Sequence, residues 1–225
     1  MSSDAAPAIR TRRTPRLWGF AAFAAVSVVH VAAIALGAEA VVYPTKLLLM
    51  PALAVAVLVA RGRGPWRATE SWLLAAIALS WLGDGAAFFF PGLPELPLML
   101  LCFGLAHLAY IVLFARLPDA RRVSPWAAAY ALWWIAMLAV LWPHLGSLQI
   151  AVAVYGLVLG GTAAMATRGG AVTALGGVFF LASDTILAFR LFLPGVSEAL
   201  AGPWVMATYT IGQGLLAWGI VRRTR

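Results

Sequence analysis

Eight apolar stretches, roughly 17–36, 45–60, 70–90, 96–115, 125–142, 147–166, 170–193 and 200–220, follow one another with only short polar interruptions. Runs of this kind leave a chain few structures to choose from. About 20 mainly apolar residues form a helix long enough to cross a hydrocarbon core of ~30 Å. Inside lipid every backbone N–H and C=O must find its partner within the segment, so such runs fold as helices. With 63% apolar residues, 11% charged residues and a mean hydropathy of +0.92, the chain cannot present the exterior of a soluble globule. The expectation is an all-α, polytopic integral membrane protein. Its eight transmembrane helices form one domain over residues 16–225, behind a basic cytoplasmic tail over 1–15. The second and fifth stretches are short.

In a soluble protein a net charge of +8 would suggest nucleic acid, but here the placement of the basic residues reports topology instead. Arg10, Arg12, Arg13 and Arg16 precede the first stretch; Arg61, Arg63 and Arg67 follow the second; Arg116, Arg121 and Arg122 follow the fourth. Arg168 follows the sixth, and Arg222, Arg223 and Arg225 end the chain. The intervening loops carry Glu39, Glu95 and Glu198, with Lys46 and Arg190 at span ends. This alternation is a positive-inside pattern and places both termini in the cytoplasm. The alanine- and arginine-rich usage fits a bacterial plasma membrane. A cleavable signal peptide ending at Ala38-Glu39-Ala40 is the rival reading of the N-terminus. The first apolar run is longer than a usual signal core of about 7–15 residues, and removing it would upset the alternation. The single cysteine, Cys102, excludes an intramolecular disulfide.

Two aspartates lie inside these runs, Asp84 in LSWLGDGAAFFF and Asp184 in FFLASDTILAFRLF, 100 residues apart. A carboxylate at membrane depth costs several kcal/mol, so it faces a bundle interior or a wet cavity and marks function there. Each stands about 14 residues beyond the start of its span, and each such span is followed by one carrying a tyrosine, Tyr110 or Tyr209. The match points to two parallel four-helix halves with both carboxylates at one depth; unrelated helices carrying Gly/Ser/Asp kinks are the bland alternative.

Other polar residues fall on the same runs. Lys46 opens span two; His107 and Tyr110 share a face of span four; Tyr155 lies in span six; Ser183 precedes Asp184; Tyr209 and Gln213 share a face of span eight. They are candidates to line one pocket, each with a structural alternative: Lys46 snorkelling to the interface, His107 bonded within the bundle, Ser183 bonded back to its own helix. Trp18, Trp66, Trp72, Trp126, Trp142 and Trp204 lie near span ends, where indole rings anchor at headgroup level. The small-residue stretches 156–161 and 169–177 allow close helix approach. His30, His107 and His144 lack zinc-binding spacing, so neither a metal nor another cofactor is expected.

In order and spacing these elements resemble the YhhN-like membrane proteins, the family that includes the lysoplasmalogenases. The resemblance runs from about residue 40 to 220 through TKLLLMP with Lys46, LSWLGD with Asp84, FGLAHLAYIVLF with His107 and Tyr110, Tyr155, FFLASDTILAF with Ser183 and Asp184, and YTIGQGLLAWG with Tyr209 and Gln213. In one departure, Pro44 precedes Thr45 where a Lys-Pro pair is expected. The resemblance implies hydrolysis of the vinyl ether bond of a lysoplasmalogen, a lysophospholipid, to a fatty aldehyde and a glycerophospho-ethanolamine or -choline. Cleaving such a bond requires an acid to protonate its β-carbon and an anion to steady the resulting oxocarbenium ion and activate water. Two carboxyls in a poorly solvated pocket divide into that pair, because desolvation and mutual repulsion penalise a second charge. Asp84 and Asp184 are the expected catalytic residues, with Lys46 on the lipid phosphate and His107, Tyr110, Tyr155, Ser183, Tyr209 and Gln213 around the substrate. A proton-coupled small-molecule or lipid transporter is the alternative, since repeated halves and midplane carboxylates suit it too.

Overall fold

The computed structural model describes residues 17–63 and 65–224; the basic tail over 1–15 lies outside them. After a 3₁₀ turn at Leu17–Phe20 come α1 (Ala21–Ala35), α2 (Glu39–Arg61), α3 (Ala68–Asp84), a single turn α4 (Ala86–Phe89) and α5 (Glu95–Ala115). Then follow α6 (Ala128–Leu141), α7 (Gln149–Ala166), α8 (Ala171–Phe192) and α9 (Glu198–Arg223). No strand occurs among the described residues.

Two boundaries differ from those expected, and both bear on function. Helix α2 starts at Glu39, not near residue 45; it takes Pro44 into its second turn and has Glu39 in its first turn and Arg61 in its last. Both charges suit the helix dipole. Lys46 therefore does not open the span but lies roughly 10 Å along it. Helix α3 stops at Asp84 rather than running on to residue 90, and after Gly85 the short helix α4 begins. Asp84 is thus the last residue of its helix, whereas Asp184 sits within α8.

Six segments are long and apolar enough to cross a membrane among the described residues: Trp18–Ala35, Glu39–Arg61, Glu95–Ala115, Pro125–His144, Gly146–Gly169 and Ala171–Phe192. Outside that set stand α3, which has 17 residues, and α9, whose apolar run is broken by Thr208, Thr210, Gln213, Arg222 and Arg223.

Seven of the long helices close into a ring. Helix α1 packs on α2, α2 on α3, α3 on α5, α5 on α7, α7 on α8, α8 on α9, and α9 returns to α1. Helix α6 leans on α7 from outside, and Leu141 is its one buried residue. The tightest seam is α8 against α9. A Cβ on Gly176 would stand 2.8 Å from the Leu216 nitrogen, and one on Gly212 2.8 Å from the Phe180 nitrogen, so only glycine lets these backbones meet. On the other side of α8, a Cβ on Gly177 would lie 3.0 Å from the Ala163 Cα of α7.

One end of the ring is solid. Leu53, Val57, Leu73, Ile77, Leu113, Phe114, Leu216 and Ile220 fill it. The basic residues of the helix ends tie this end together: Arg61 pairs with Glu70 at 3.2 Å, and Arg223 donates to the Asp119 and Gly169 carbonyls at 2.7 and 3.1 Å. Toward the other end, where α2, α5 and α9 begin with Glu39, Glu95 and Glu198, the ring is hollow. Among the expected interface anchors, Trp18, Trp66, Trp126, Trp142 and Trp204 are exposed at or near helix ends.

Candidate active site

The hollow is a cavity of about 590 Å³, and each of the seven ring helices contributes to its wall. Asp84 and Asp184 both face it. Counted along their helices, they lie ~24 Å and ~20 Å from the starts of α3 and α8, so similar depth follows from helix length alone. Each carboxylate receives a phenolic hydroxyl from a different helix.

The Tyr209 hydroxyl on α9 donates to Asp84 Oδ2 at 2.8 Å. Behind Tyr209, one turn along α9, stands Gln213, fully buried. Its amide nitrogen donates to Ser80 Oγ at 3.0 Å and approaches the Tyr209 hydroxyl at 3.5 Å, while its carbonyl accepts the Tyr110 hydroxyl. Ser80 lies one turn before Asp84 on α3, so this relay joins α3, α5 and α9 beneath the first carboxylate. A buried amide must have both ends satisfied, and here three side chains do so.

The Tyr155 hydroxyl on α7 donates to Asp184 Oδ2. His107 Nε2, on α5, lies 3.6 Å from the same oxygen and 3.5 Å from the Tyr155 hydroxyl. The His107 carbonyl accepts from Thr162 at 3.1 Å, which locks α5 to α7 at that level. The Phe180 ring connects the two carboxylate settings, standing edge-on to His107 at 4.7 Å and to Tyr209 at 5.5 Å. Phe103 closes on the other side of Tyr209 at 5.9 Å. These packed rings leave the tyrosines little freedom to turn away from the carboxylates.

Lys46 lines the cavity, and its charge acts on both Asp84 and His30. Ser183 also lines it, but its hydroxyl donates to the Val205 carbonyl of α9 at 2.9 Å and not to its own helix. At the rim, Glu95, Arg190 and Glu198 are the charged groups, and Arg190 pairs with Glu198 at 3.1 Å. Among the described residues no group of histidine, cysteine and acidic side chains could hold a metal ion.

Of the residues singled out in the sequence, Lys46, Asp84, Tyr155, Ser183, Asp184 and Tyr209 face the cavity. His107, Tyr110 and Gln213 stand behind its wall and reach it through Asp184 or Tyr209. Sequence reasoning passed over three others. Ser80 falls inside the LSWLGD segment, four residues before Asp84, at the spacing that shares a helix face. Phe180 is one more aromatic in an apolar run and gives no signal. His30 is an ionisable residue in a membrane-length run, which is a signal in itself, although its spacing from the other histidines fits no zinc site.

A pair of carboxyls on one cavity wall, each held by a tyrosine, can supply an acid and an anion to a substrate lodged between them. Curated proteins from Mycobacterium bovis and Mycobacterium tuberculosis, both named Lysoplasmalogenase, are 35% identical to this chain over 201 residues, covering 83% of this chain and 66% of theirs. The chain thus spans just under two thirds of the length of those relatives. No solved structure matches it. A model of the YhhN family matches residues 41–220, a stretch holding Lys46, both aspartates and each tyrosine and amide that supports them, and on that match the chain belongs to the YhhN family.

Proposed function

We propose that this protein is a lysoplasmalogenase of the membrane: it hydrolyses the vinyl ether bond of a lysoplasmalogen to a fatty aldehyde and a glycerophospho-ethanolamine or -choline. The observation that carries the reading is the pair Asp84 and Asp184, from α3 and α8, facing one cavity. The names of the mycobacterial relatives point the same way.

The chemistry divides into three steps. One aspartic acid gives its proton to the β-carbon of the C=C–O unit, and the positive charge passes to the carbon bonded to oxygen as an oxocarbenium ion. The partner aspartate steadies that cation and takes a proton from the water that attacks the same carbon. The hemiacetal then breaks its bond to the glycerol oxygen, which leaves with the proton that the partner took from water, while the hemiacetal hydroxyl gives its proton to the first carboxylate and the aldehyde C=O forms. The first carboxyl is thereby an acid again and the partner a carboxylate, so atoms and charge balance. Tyr209 and Tyr155 hold the carboxylates in place, Lys46 meets the lipid phosphate, and His107, Tyr110 and Gln213 position the two tyrosine–aspartate pairs. A cavity of about 590 Å³ lies within the ~300–1,000 Å³ range of small-molecule sites.

We place all eight long helices in the bilayer, with both termini and the solid, arginine-rich end at the cytoplasm and the hollow end outward. The alternation of charge supports this orientation, and a bacterial inner membrane is the setting that fits it. Lipid then enters from the outer leaflet with its headgroup toward the rim.

A carrier would need a second opening on the cytoplasmic side. The filled half of the ring, the Tyr110–Gln213–Ser80 relay and the glycine seam of α8 on α9 all stand against one. The test is aldehyde release from a synthetic lysoplasmalogen by purified protein in detergent, with the saturated ether and the acyl lysolipid as controls. Aldehyde from the vinyl ether alone is expected. No product from a monodisperse sample, together with gradient-dependent uptake in liposomes, would replace the hydrolase with the carrier.

A further inference from the structure

His30 of α1 is fully buried and belongs to the cavity wall beside Lys46. Its Nδ1 stands 2.8 Å from the Thr45 hydroxyl oxygen on α2. That hydroxyl is 2.6 Å from the Val41 carbonyl and 3.0 Å from the Val42 carbonyl, and neither can donate. The hydroxyl hydrogen must therefore go to one of them, and Thr45 is left to accept from the ring. His30 consequently carries its proton on Nδ1, and in the neutral imidazole Nε2 is then an acceptor only. Nε2 has no hydrogen-bond partner among the described residues. A buried polar atom without a partner is rare enough to need an explanation.

A donor brought into the cavity that His30 lines would supply that partner. The neighbouring Lys46 ammonium disfavours a cationic donor, so a neutral hydroxyl fits best. A lysoplasmalogen carries one, on the central carbon of its glycerol. That carbon lies between the one bearing the phosphate and the one bearing the vinyl ether. In the protein, His30 and Lys46 line the cavity that Asp84 also faces.

We infer that His30 Nε2 accepts a hydrogen bond from the free sn-2 hydroxyl of the lysolipid, and that this contact is how the site selects a lyso substrate. The inference rests on the hydrolase reading and adds a specificity residue to it. An acyl group at sn-2 removes the donor and brings bulk against a fully buried ring. Plasmalogens acylated at sn-2 are then refused for two reasons, the lost bond and the clash.

The test compares kcat/KM for an alkenyl glycerophosphocholine and for its sn-2 deoxy analogue, on the wild-type protein and on His30→Asn. The asparagine amide can still donate to Thr45 but does not reach the Nε2 position. The wild type is expected to favour the hydroxyl substrate by about 10- to 100-fold, the range of a buried acceptor left without its partner. His30→Asn is expected to lose that preference, with its activity on the deoxy substrate close to the wild type's. Equal turnover of the two substrates by the wild type, or an undiminished preference in His30→Asn, overturns the inference while leaving the hydrolase intact. No aldehyde from either substrate sinks the hydrolase reading and this inference with it. If His30→Asn does not purify as a monodisperse protein, Thr45→Val replaces it: the imidazole stays but loses the hydroxyl that fixes its tautomer. A reduced preference is then expected, and an unchanged one counts against His30.

Discussion

Tyr209→Phe isolates one hydrogen bond in the proposed machinery. The substitution removes a single oxygen and keeps the ring, so the edge-on contacts with Phe103 at 5.9 Å and Phe180 at 5.5 Å survive. Gln213 keeps Ser80 and Tyr110 as partners, so no buried amide is orphaned. What goes is the 2.8 Å bond to Asp84 Oδ2. A hydrogen bond to a charged group contributes about 1.5–3 kcal/mol, and each ~1.4 kcal/mol is tenfold in rate, so kcat/KM for aldehyde release should fall roughly 10- to 150-fold. Thermal stability in detergent should barely move. If Tyr209→Phe stays within twofold of wild type while Asp84→Asn is inactive, the tyrosine does not support the carboxylate and the relay behind it has no catalytic meaning.

Asp84→Asn and Asp184→Asn should each abolish aldehyde release while the protein still purifies at wild-type yield; turnover retained in both refutes the acid–anion pair. Gly212→Ala forces a methyl to within 2.8 Å of the Phe180 nitrogen and 3.1 Å of the Gly176 carbonyl. Overpacking of this kind costs about 1–3 kcal/mol, and the unfolding midpoint should drop by roughly 2–4 °C per kcal/mol lost, as scanning fluorimetry in detergent would read. Lys46→Met should raise KM for the phosphorylated lysolipid roughly 5- to 30-fold, the scale of one charge-assisted contact. An alkenylglycerol without phosphate should be hydrolysed as by the wild type; equal effects on both would remove Lys46 from the phosphate.

The sequence made the helices legible because lipid permits little else. The arginines and glutamates also foretold which helix ends share an end of the ring. The ends nearest the site were harder to read. Pro44 looks like a boundary, yet α2 absorbs it in its second turn. The run through Asp84 looks continuous, yet Gly85 ends α3 at the carboxylate. Both are local backbone choices that hydropathy does not encode. The aspartates, tyrosines and Gln213 stood out because burying a polar group in lipid is costly. Their partners could not be read in the same way, because a pair such as Tyr209 with Asp84, or His30 with Thr45, depends on which helices become neighbours. The peripheral position of α6 shows why sequence order misleads there, since α5 packs directly on α7 and thereby brings His107 to Tyr155.

The glycine seam and the active site belong to one structural argument. Asp184 and its neighbours ride on α8, and Tyr209 on α9, so the distance between the two carboxylate settings is fixed by how closely those helices approach. Gly176 and Gly212 set that approach at backbone contact. Phe180, beside Gly212, then meets both His107 and Tyr209. A hollow could open only where the ring is not filled by large side chains. The chain places Leu53, Leu113, Phe114 and Leu216 at the arginine end, and His30, Lys46 and the two aspartates toward the glutamate end. The polar relay from Tyr110 through Gln213 to Tyr209 bridges the boundary between the two. Conserving stability and conserving geometry at Asp84 therefore make the same demand on Gln213: replacing it with leucine would strip both Tyr110 and Ser80 of a buried partner and loosen Tyr209 in one step.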